Sequence, residues 1–195
     1  MARVLAFSGS ARKDSFNAKL LTLVVQSARE AGASVTRIDL RDYALPLYDG
    51  DFEAASEFPA SATRLRELLP AHDALLLACP EYNGGIAPLL KNTIDWMTRA
   101  PAAKADPSLF PGKLAALCAA SPGGLGGMRG LRWVRELLNN LGVTVLANQV
   151  TVGTAHKTFD ASGALTDARQ ADTARALGRE LAQAAGAREA FAGAR

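Results

Sequence analysis

Cysteine and histidine are scarce in this chain, with two of each in 195 residues. His72 and His156 lie far apart and neither stands in a metal-ligand spacing, so no metal site is expected. Cys79 and Cys118 each sit in or beside an apolar run, which suits buried free thiols in a reducing compartment rather than a disulfide framework. No uninterrupted apolar segment nears the ~18 residues that a membrane-spanning helix requires. Arg3 is followed by only a short apolar run before polar residues, so no secretory leader is expected and the expected location is cytoplasmic. An excess of one charge is lacking too: 22 Lys and Arg face 19 Asp and Glu, and the basic residues are spread along the chain. Nucleic-acid binding, which calls for a clustered basic stripe, is therefore not expected. The Gly-Lys-Ser/Thr of a nucleoside-triphosphate loop is missing, and so is the G-x-G-x-x-G of a dinucleotide fold.

What is present reads as an alternating α/β chain. A hydrophobic content of 49% with 21% charged residues suffices for a sizeable core without metals or disulfides. With no repeat, linker or low-complexity block, residues 1–195 are expected to form one domain. Strands are expected at Val4–Phe7, Ser34–Ile38, Asp73–Cys79, Leu114–Ala120 and Val143–Val152, the last interrupted near Ala147–Asn148. Between them, helical spacing of apolar residues begins near Phe16 and ends at Gly32, and recurs over Ser61–Leu69, Leu89–Thr98, Leu131–Leu141 and Thr166–Ala185. The tail from Ala187 is expected to fray. Five strands joined through helices imply a doubly wound parallel sheet, because parallel neighbours need right-handed crossovers. Residues 42–59 read as an irregular loop, long enough to serve as a lid or an arm. It exposes Tyr43, Tyr48, Phe52 and Phe58 beside a solvated cluster of Asp49, Asp51, Glu53 and Glu57.

The stretch Ser8–Asn17, between the first strand and the first helix, is the centre of the functional reading. The first N–H groups of a helix have no internal partner, and the aligned peptide dipoles leave positive charge there. Such a terminus holds a phosphate without a metal. Ser10, Ser15 and Asn17 add neutral hydrogen-bonding groups, and Arg12 adds a planar, permanently charged fork. The plainer alternative is that Ser15 is an ordinary cap and Arg12 a solvated surface charge. Ligands of open α/β sheets sit outside the carboxyl ends of the strands, where strand order reverses. With the order 2-1-3-4-5, Pro80–Gly85 and Ser121–Gly130 would emerge beside the first loop. Glycines 84, 85, 123, 124, 126 and 127 would then let backbone approach a flat ring system, unless they are merely turn glycines.

Three motifs carry a resemblance to a known family. Gly9-Ser10-Ala11-Arg12-Lys13-Asp14-Ser15-Phe16-Asn17-Ala18-Lys19-Leu20 is similar to the Gly-Ser-x-Arg-x-x-Ser-x-Asn-x-x-Leu motif of the flavodoxin-like NADPH-dependent FMN reductases. That family includes bacterial quinone, chromate and azo-compound reductases. Pro80-Glu81-Tyr82-Asn83 with Lys91-Asn92-Thr93-Ile94-Asp95-Trp96 resembles the second motif, and Ser121-Pro122-Gly123-Gly124 the third. The similarity runs over about residues 3–153, with the motifs in the family's order.

The resemblance implies that Ser10, Arg12, Ser15 and Asn17 bind the FMN phosphate. It implies that Pro80, Glu81, Tyr82, Asn83 and Gly84 line the isoalloxazine, largely through main chain, with Ser121, Gly123 and Gly124 closing the other side. It further implies ping-pong chemistry: NADPH or NADH delivers hydride to flavin N5, and a quinone, flavin or similar small acceptor then takes the electrons. No catalytic side chain is expected, because FMN carries the reaction. A homodimer or homotetramer is implied, giving the Tyr48–Phe58 loop and the Lys91–Trp96 helix interface roles, with core packing the alternative for Trp96. Glu81 reads as an exposed acid at a helix start. Lys13, Arg129 and Arg132 are the basic groups available to a 2′-phosphate. A flavodoxin-type electron carrier and a reductase of diffusible FMN remain alternatives, and the mildly basic charge tilts against the carrier.

Overall fold

The computed structural model describes residues 1–193. In chain order the elements are β1 (Arg3–Ser8), α1 (Phe16–Glu30), β2 (Ser34–Arg37), α2 (Gly50–Ala55), α3 (Ala60–Leu68) and β3 (Ala74–Ala78). There follow β4 (Glu81–Tyr82), β5 (Gly85–Ile86), α4 (Pro88–Met97), β6 (Arg99–Ala100), β7 (Lys104–Ala105) and β8 (Leu114–Ala120). The last elements are α5 (Met128–Asn140), β9 (Thr144–Val152), α6 (Ala155–Thr158) and α7 (Ala168–Gly193). The main sheet is five-stranded in the order β2-β1-β3-β8-β9, parallel throughout. This is the flavodoxin-like 2-1-3-4-5 arrangement.

The three inner strands, β1, β3 and β8, read as nearly unbroken apolar runs because each feeds two cores. Successive side chains of a strand point to opposite faces. Val4 and Ala6 therefore join Leu76, Ala116 and Cys118 under α1 and α7. Leu5 and Phe7 join Leu75, Leu77 and Leu117 under α3, α4 and α5. Strands covered on both sides expose neither face, so in these three the alternation of polar and apolar residues seen in half-exposed strands is absent, while the edge strands β2 and β9 stay partly exposed.

The expected break in the last strand is present: two residues of β8, from Ala115 to Leu117, span four of β9, from Val145 to Gln149. The final helix runs on through Gly193, so backbone is helical where fraying was expected, and residues 194–195 lie outside the described residues.

The excursion between β2 and α3 departs from its expected form. It contains the helix α2, capped by Asp49, whose side chain accepts from the Phe52 N–H at 2.8 Å. Of its aromatics, Phe52 stays exposed as expected, at 41%, while Tyr43, Tyr48 and Phe58 are half-buried. Tyr48, Phe52 and Phe58 surround Trp96 edge-on at centroid distances of 5.3, 6.5 and 5.8 Å. Trp96 is 0% exposed and donates its indole N–H to the Pro46 carbonyl at 2.8 Å. The core alternative for Trp96 holds, because this chain's own excursion covers the ring. Glu53 is not solvated either: it is buried, paired with Arg99 at 2.7 Å, and accepts from the Tyr48 hydroxyl at 3.2 Å. Arg99 holds its carboxyl below the usual carboxylate range, against the opposing pull of burial.

Candidate functional site

The loops after β1, β3 and β8 leave neighbouring strands at the carboxyl edge of the sheet. In the first, the Gly9 N–H donates to the Ala78 carbonyl at 2.9 Å. A Cβ at Gly9 would stand 2.7 Å from Leu90 Cβ, so only glycine lets this loop cross α4 so closely. Ser15 caps α1, its Oγ accepting from the Ala18 N–H at 3.3 Å. Its hydroxyl proton is left for an acceptor outside the helix. Ser10 Oγ accepts from the Arg12 N–H at 3.3 Å, and the exposed Arg12 side chain makes no ion pair among the described residues.

Asn17 behaves otherwise than its motif position suggests. It is 6% exposed, donates Nδ2 to the Ala120 carbonyl at 2.8 Å and accepts from the Ala120 N–H at 3.0 Å. The side chain thus replaces a missing strand partner at the end of β8 and clamps the first loop to the third. What it leaves toward an anion is its backbone N–H in the first turn of α1.

The second loop is a hairpin that the sequence reading overlooked. β4 and β5 pair antiparallel around Asn83 and Gly84, whose φ values of 52° and 79° make a two-residue turn of the I′ kind. Asn-Gly is the strongest short signal for such a turn and could have identified it. Glu81 anchors the hairpin to α5: one carboxylate oxygen accepts from the Gly130 N–H at 2.9 Å, the other from Arg129 Nη2 at 2.7 Å. The helix begins at Gly127 with no side-chain cap of its own, so Glu81 supplies that acceptor from another loop. Burial pushes the Glu81 carboxyl up, but Gly130 and Arg129 outweigh it and the carboxyl lies below its usual range. The expected dipole role therefore holds for the start of α5. The expected exposure does not, since the side chain is 8% exposed.

In the third loop Ser121 Oγ accepts from the Gly123 N–H at 3.2 Å, and the glycines divide into two kinds. A Cβ at Gly126 would meet Val152 backbone at 2.8 Å, and one at Gly127 would meet Ala119 Cβ at 2.7 Å. These two serve packing. Cβ atoms at Gly123 and Gly124 would meet nothing closer than Ser121 Oγ at 3.7 Å, so these two leave room on their outer side, although the Gly123 carbonyl is spent on the Gly126 and Thr154 N–H groups at 3.2 and 3.1 Å. Arg129 and Gly130, read from the sequence as loop, are the first residues of α5 proper.

A cleft of about 50 Å³ draws the loops together. Ser10, Arg12, Ser15, Asn17, Pro80, Glu81, Tyr82 and Ser121 all line it. Asn83, Gly84, Gly123 and Gly124 lie outside that lining, on the turns of the same two loops. The cleft has room for a phosphate-sized group, and anything larger attached to it must extend over the outer surface, where Tyr82 is 50% exposed. Cys79 is 0% exposed and burial pushes its thiol well up, so it is inert packing rather than a redox group.

Residues 2–157 match the protein family described as NADPH-dependent FMN reductase. The chain belongs to that family. The FMN reductase match takes in all five strands of the main sheet and all three loops, and leaves α7 outside. An NAD(P)H-dependent FMN reductase of Pseudomonas aeruginosa is 38% identical over 183 residues, covering 93% of this chain and 92% of the relative. A quinone reductase of Escherichia coli is 33% identical over 147 residues, covering 74% of this chain and 73% of the relative. Among solved structures, the flavoenzyme NAD(P)H:(acceptor) oxidoreductase FerB of Paracoccus denitrificans superposes with a TM-score of 0.76 at 28% identity, covering 94% of this chain and 96% of that one. No helix among the described residues is long and apolar enough to cross a membrane, and no cluster of His, Cys, Asp or Glu among them could hold a metal ion.

Proposed function

We propose that this chain is a single-domain FMN-binding reductase that oxidises NAD(P)H and reduces quinones, flavins or similar small acceptors. The observation that carries the reading is the meeting of Ser10, Arg12, Ser15, Pro80, Tyr82 and Ser121 around one phosphate-sized cleft. The donors there suit a phosphate monoester. The first turn of α1 offers N–H groups that have no partner within the helix, Ser15 keeps a free hydroxyl proton, and Arg12 keeps an unspent charge. Asn17 contributes through its main chain, while its side chain holds the first and third loops in register.

When bound, FMN would supply the two-electron chemistry, accepting hydride from a nicotinamide and passing reducing equivalents to the acceptor. The protein's part is placement. The Asn83–Gly84 turn and the Gly124 N–H offer main-chain groups at which a flat heterocycle can be fixed. Glu81 is held ionised by Arg129 and the Gly130 N–H, so it is not a proton donor at neutral pH. The buried thiol of Cys79 is no nucleophile.

Anaerobic stopped-flow mixing of FMN-loaded protein with NADPH and with NADH is the test. Bleaching of the flavin absorbance by at least one of them is expected, followed by recovery when a quinone is added. Loaded protein that neither nucleotide bleaches would overturn the reading.

A further inference from the structure

On the other side of the first loop, sharing Ser10 and Arg12 with the cleft, lies a second cavity of about 740 Å³. It is of the size that holds a nucleotide, about 300–1,000 Å³ for ligand pockets in general. Five cations line it, Arg12, Lys13, Arg37, Arg41 and Arg64, against the two carboxylates Asp39 and Asp42. The surplus is a local concentration of positive charge in a chain whose charges are otherwise nearly balanced.

Few of those cations are neutralised. Arg41 is, through a bidentate pair with Asp39, Nη2 to Oδ2 at 2.5 Å and Nε to Oδ1 at 3.1 Å. Arg37 is held by neutral acceptors, Thr22 Oγ1 at 2.8 Å and the Ala18 carbonyl at 3.2 Å. Arg64 donates to the Asp42 carbonyl and lies over the Tyr43 ring at 4.5 Å. Arg12 and Lys13 make no ion pair among the described residues. The wall between these charges is apolar, formed by Leu21, Ile38 and Leu40. Guanidinium forks around an apolar floor suit a ligand that carries phosphate on a flat base.

We propose that this cavity takes the phosphorylated adenosine end of the nicotinamide dinucleotide, and that Lys13 and Arg64 favour NADPH over NADH by binding the 2′-phosphate. The proposal rests on the reductase reading above. Its location supports it: through Ser10 and Arg12 the cavity abuts the cleft assigned to the flavin phosphate, so both ligands would converge on one loop. Most of that charge is also unanswered: among the described residues, Arg41 alone of the five cations is paired with a carboxylate.

The test uses 2′,5′-ADP as probe, titrated calorimetrically into FMN-saturated protein, with 5′-AMP and a second equivalent of FMN as the other arms. Binding of 2′,5′-ADP at least tenfold tighter than 5′-AMP is expected, with no release of flavin. Arg64→Ala and Lys13→Ala, made separately so that one folding failure does not decide the matter, are each expected to weaken 2′,5′-ADP by about tenfold, the size of one lost charged hydrogen bond. Each is also expected to lower the ratio of kcat/KM for NADPH over that for NADH. Equal affinities for the two adenosine phosphates, or unaltered affinity in both variants, would overturn the subsite. So would displacement of FMN by 2′,5′-ADP, or preferential filling of the cavity by the second FMN. FMN retention, measured alone by fluorescence, tests the reductase reading separately, so one idea can fail without the other.

Discussion

The loop from Ser8 to Ser15 and the excursion from Tyr43 to Phe58 invite comparison. Both interrupt regular structure, and both carry polar groups that look available in the sequence. The excursion spends them. The backbone and side chains of Pro46, Tyr48, Asn92, Trp96, Glu53 and Arg99 are joined in one hydrogen-bonded network. The first loop leaves Arg12 without an ion pair and Ser15 with a proton to give. The difference separates a segment built to be stable from one built to bind: buried polar groups must find partners within the protein, while groups reserved for a ligand are left without them.

That contrast can be broken at four places. The largest expected effect is that of Trp96→Ala, about 4 kcal/mol of stability as for other fully buried aromatics. A lower urea midpoint with unchanged slope is the measurement, and an unmoved midpoint would mean that the excursion is not held by this ring. Arg12→Ala is expected to do the opposite. Losing a hydrogen bond to a charged group, worth about 1.5–3 kcal/mol, should weaken FMN by roughly 10–100-fold, while the urea midpoint stays in place. Equal FMN affinity would remove Arg12 from the phosphate site.

Glu53→Gln is expected to cost about 2 kcal/mol at neutral pH, by leaving Arg99 without its counter-charge. The pH dependence has a definite sign. Because the folded carboxyl lies below its usual range, its contribution is complete above the unfolded pKa and fades as pH falls through the folded one. The gap between wild type and Glu53→Gln should therefore narrow in acid urea melts, and a constant gap would exclude the ion pair as its cause. Smallest is Ser15→Ala. Loss of the cap is expected to cost about 1 kcal/mol of stability, and loss of the hydroxyl should weaken FMN as well. Ser15 is the one residue expected to register on both sides of the comparison.

Much of this was readable in advance. β8 matches its expected bounds, the other strands of the main sheet fall within a residue of theirs, and the bulge in β9 stands where Ala147–Asn148 interrupts the run. Ser15 caps α1 as its residue type suggests. Less readable was the direction in which side chains spend their hydrogen bonds. Asn17 turned to Ala120, Glu81 to α5 and Glu53 to Arg99, each partner lying 46 or more residues away. Spacing along a chain carries no record of such pairings. The Asn83–Gly84 hairpin was local and legible, and it was overlooked because the glycines were read as a plain turn cluster.

The chain's own order of residues determined the five strands of the main sheet, the helices between them and the three polar loops that leave the sheet at one edge. These follow from local rules of periodicity, capping and turn chemistry, which act within a few residues. Tertiary structure alone decided which of the loops' polar groups are used up in holding the protein together and which stay free. That allocation depends on what lies across a few ångströms of space, and the basic cavity beside the first loop, built from residues between Ser8 and Arg64, exists only once the chain has folded.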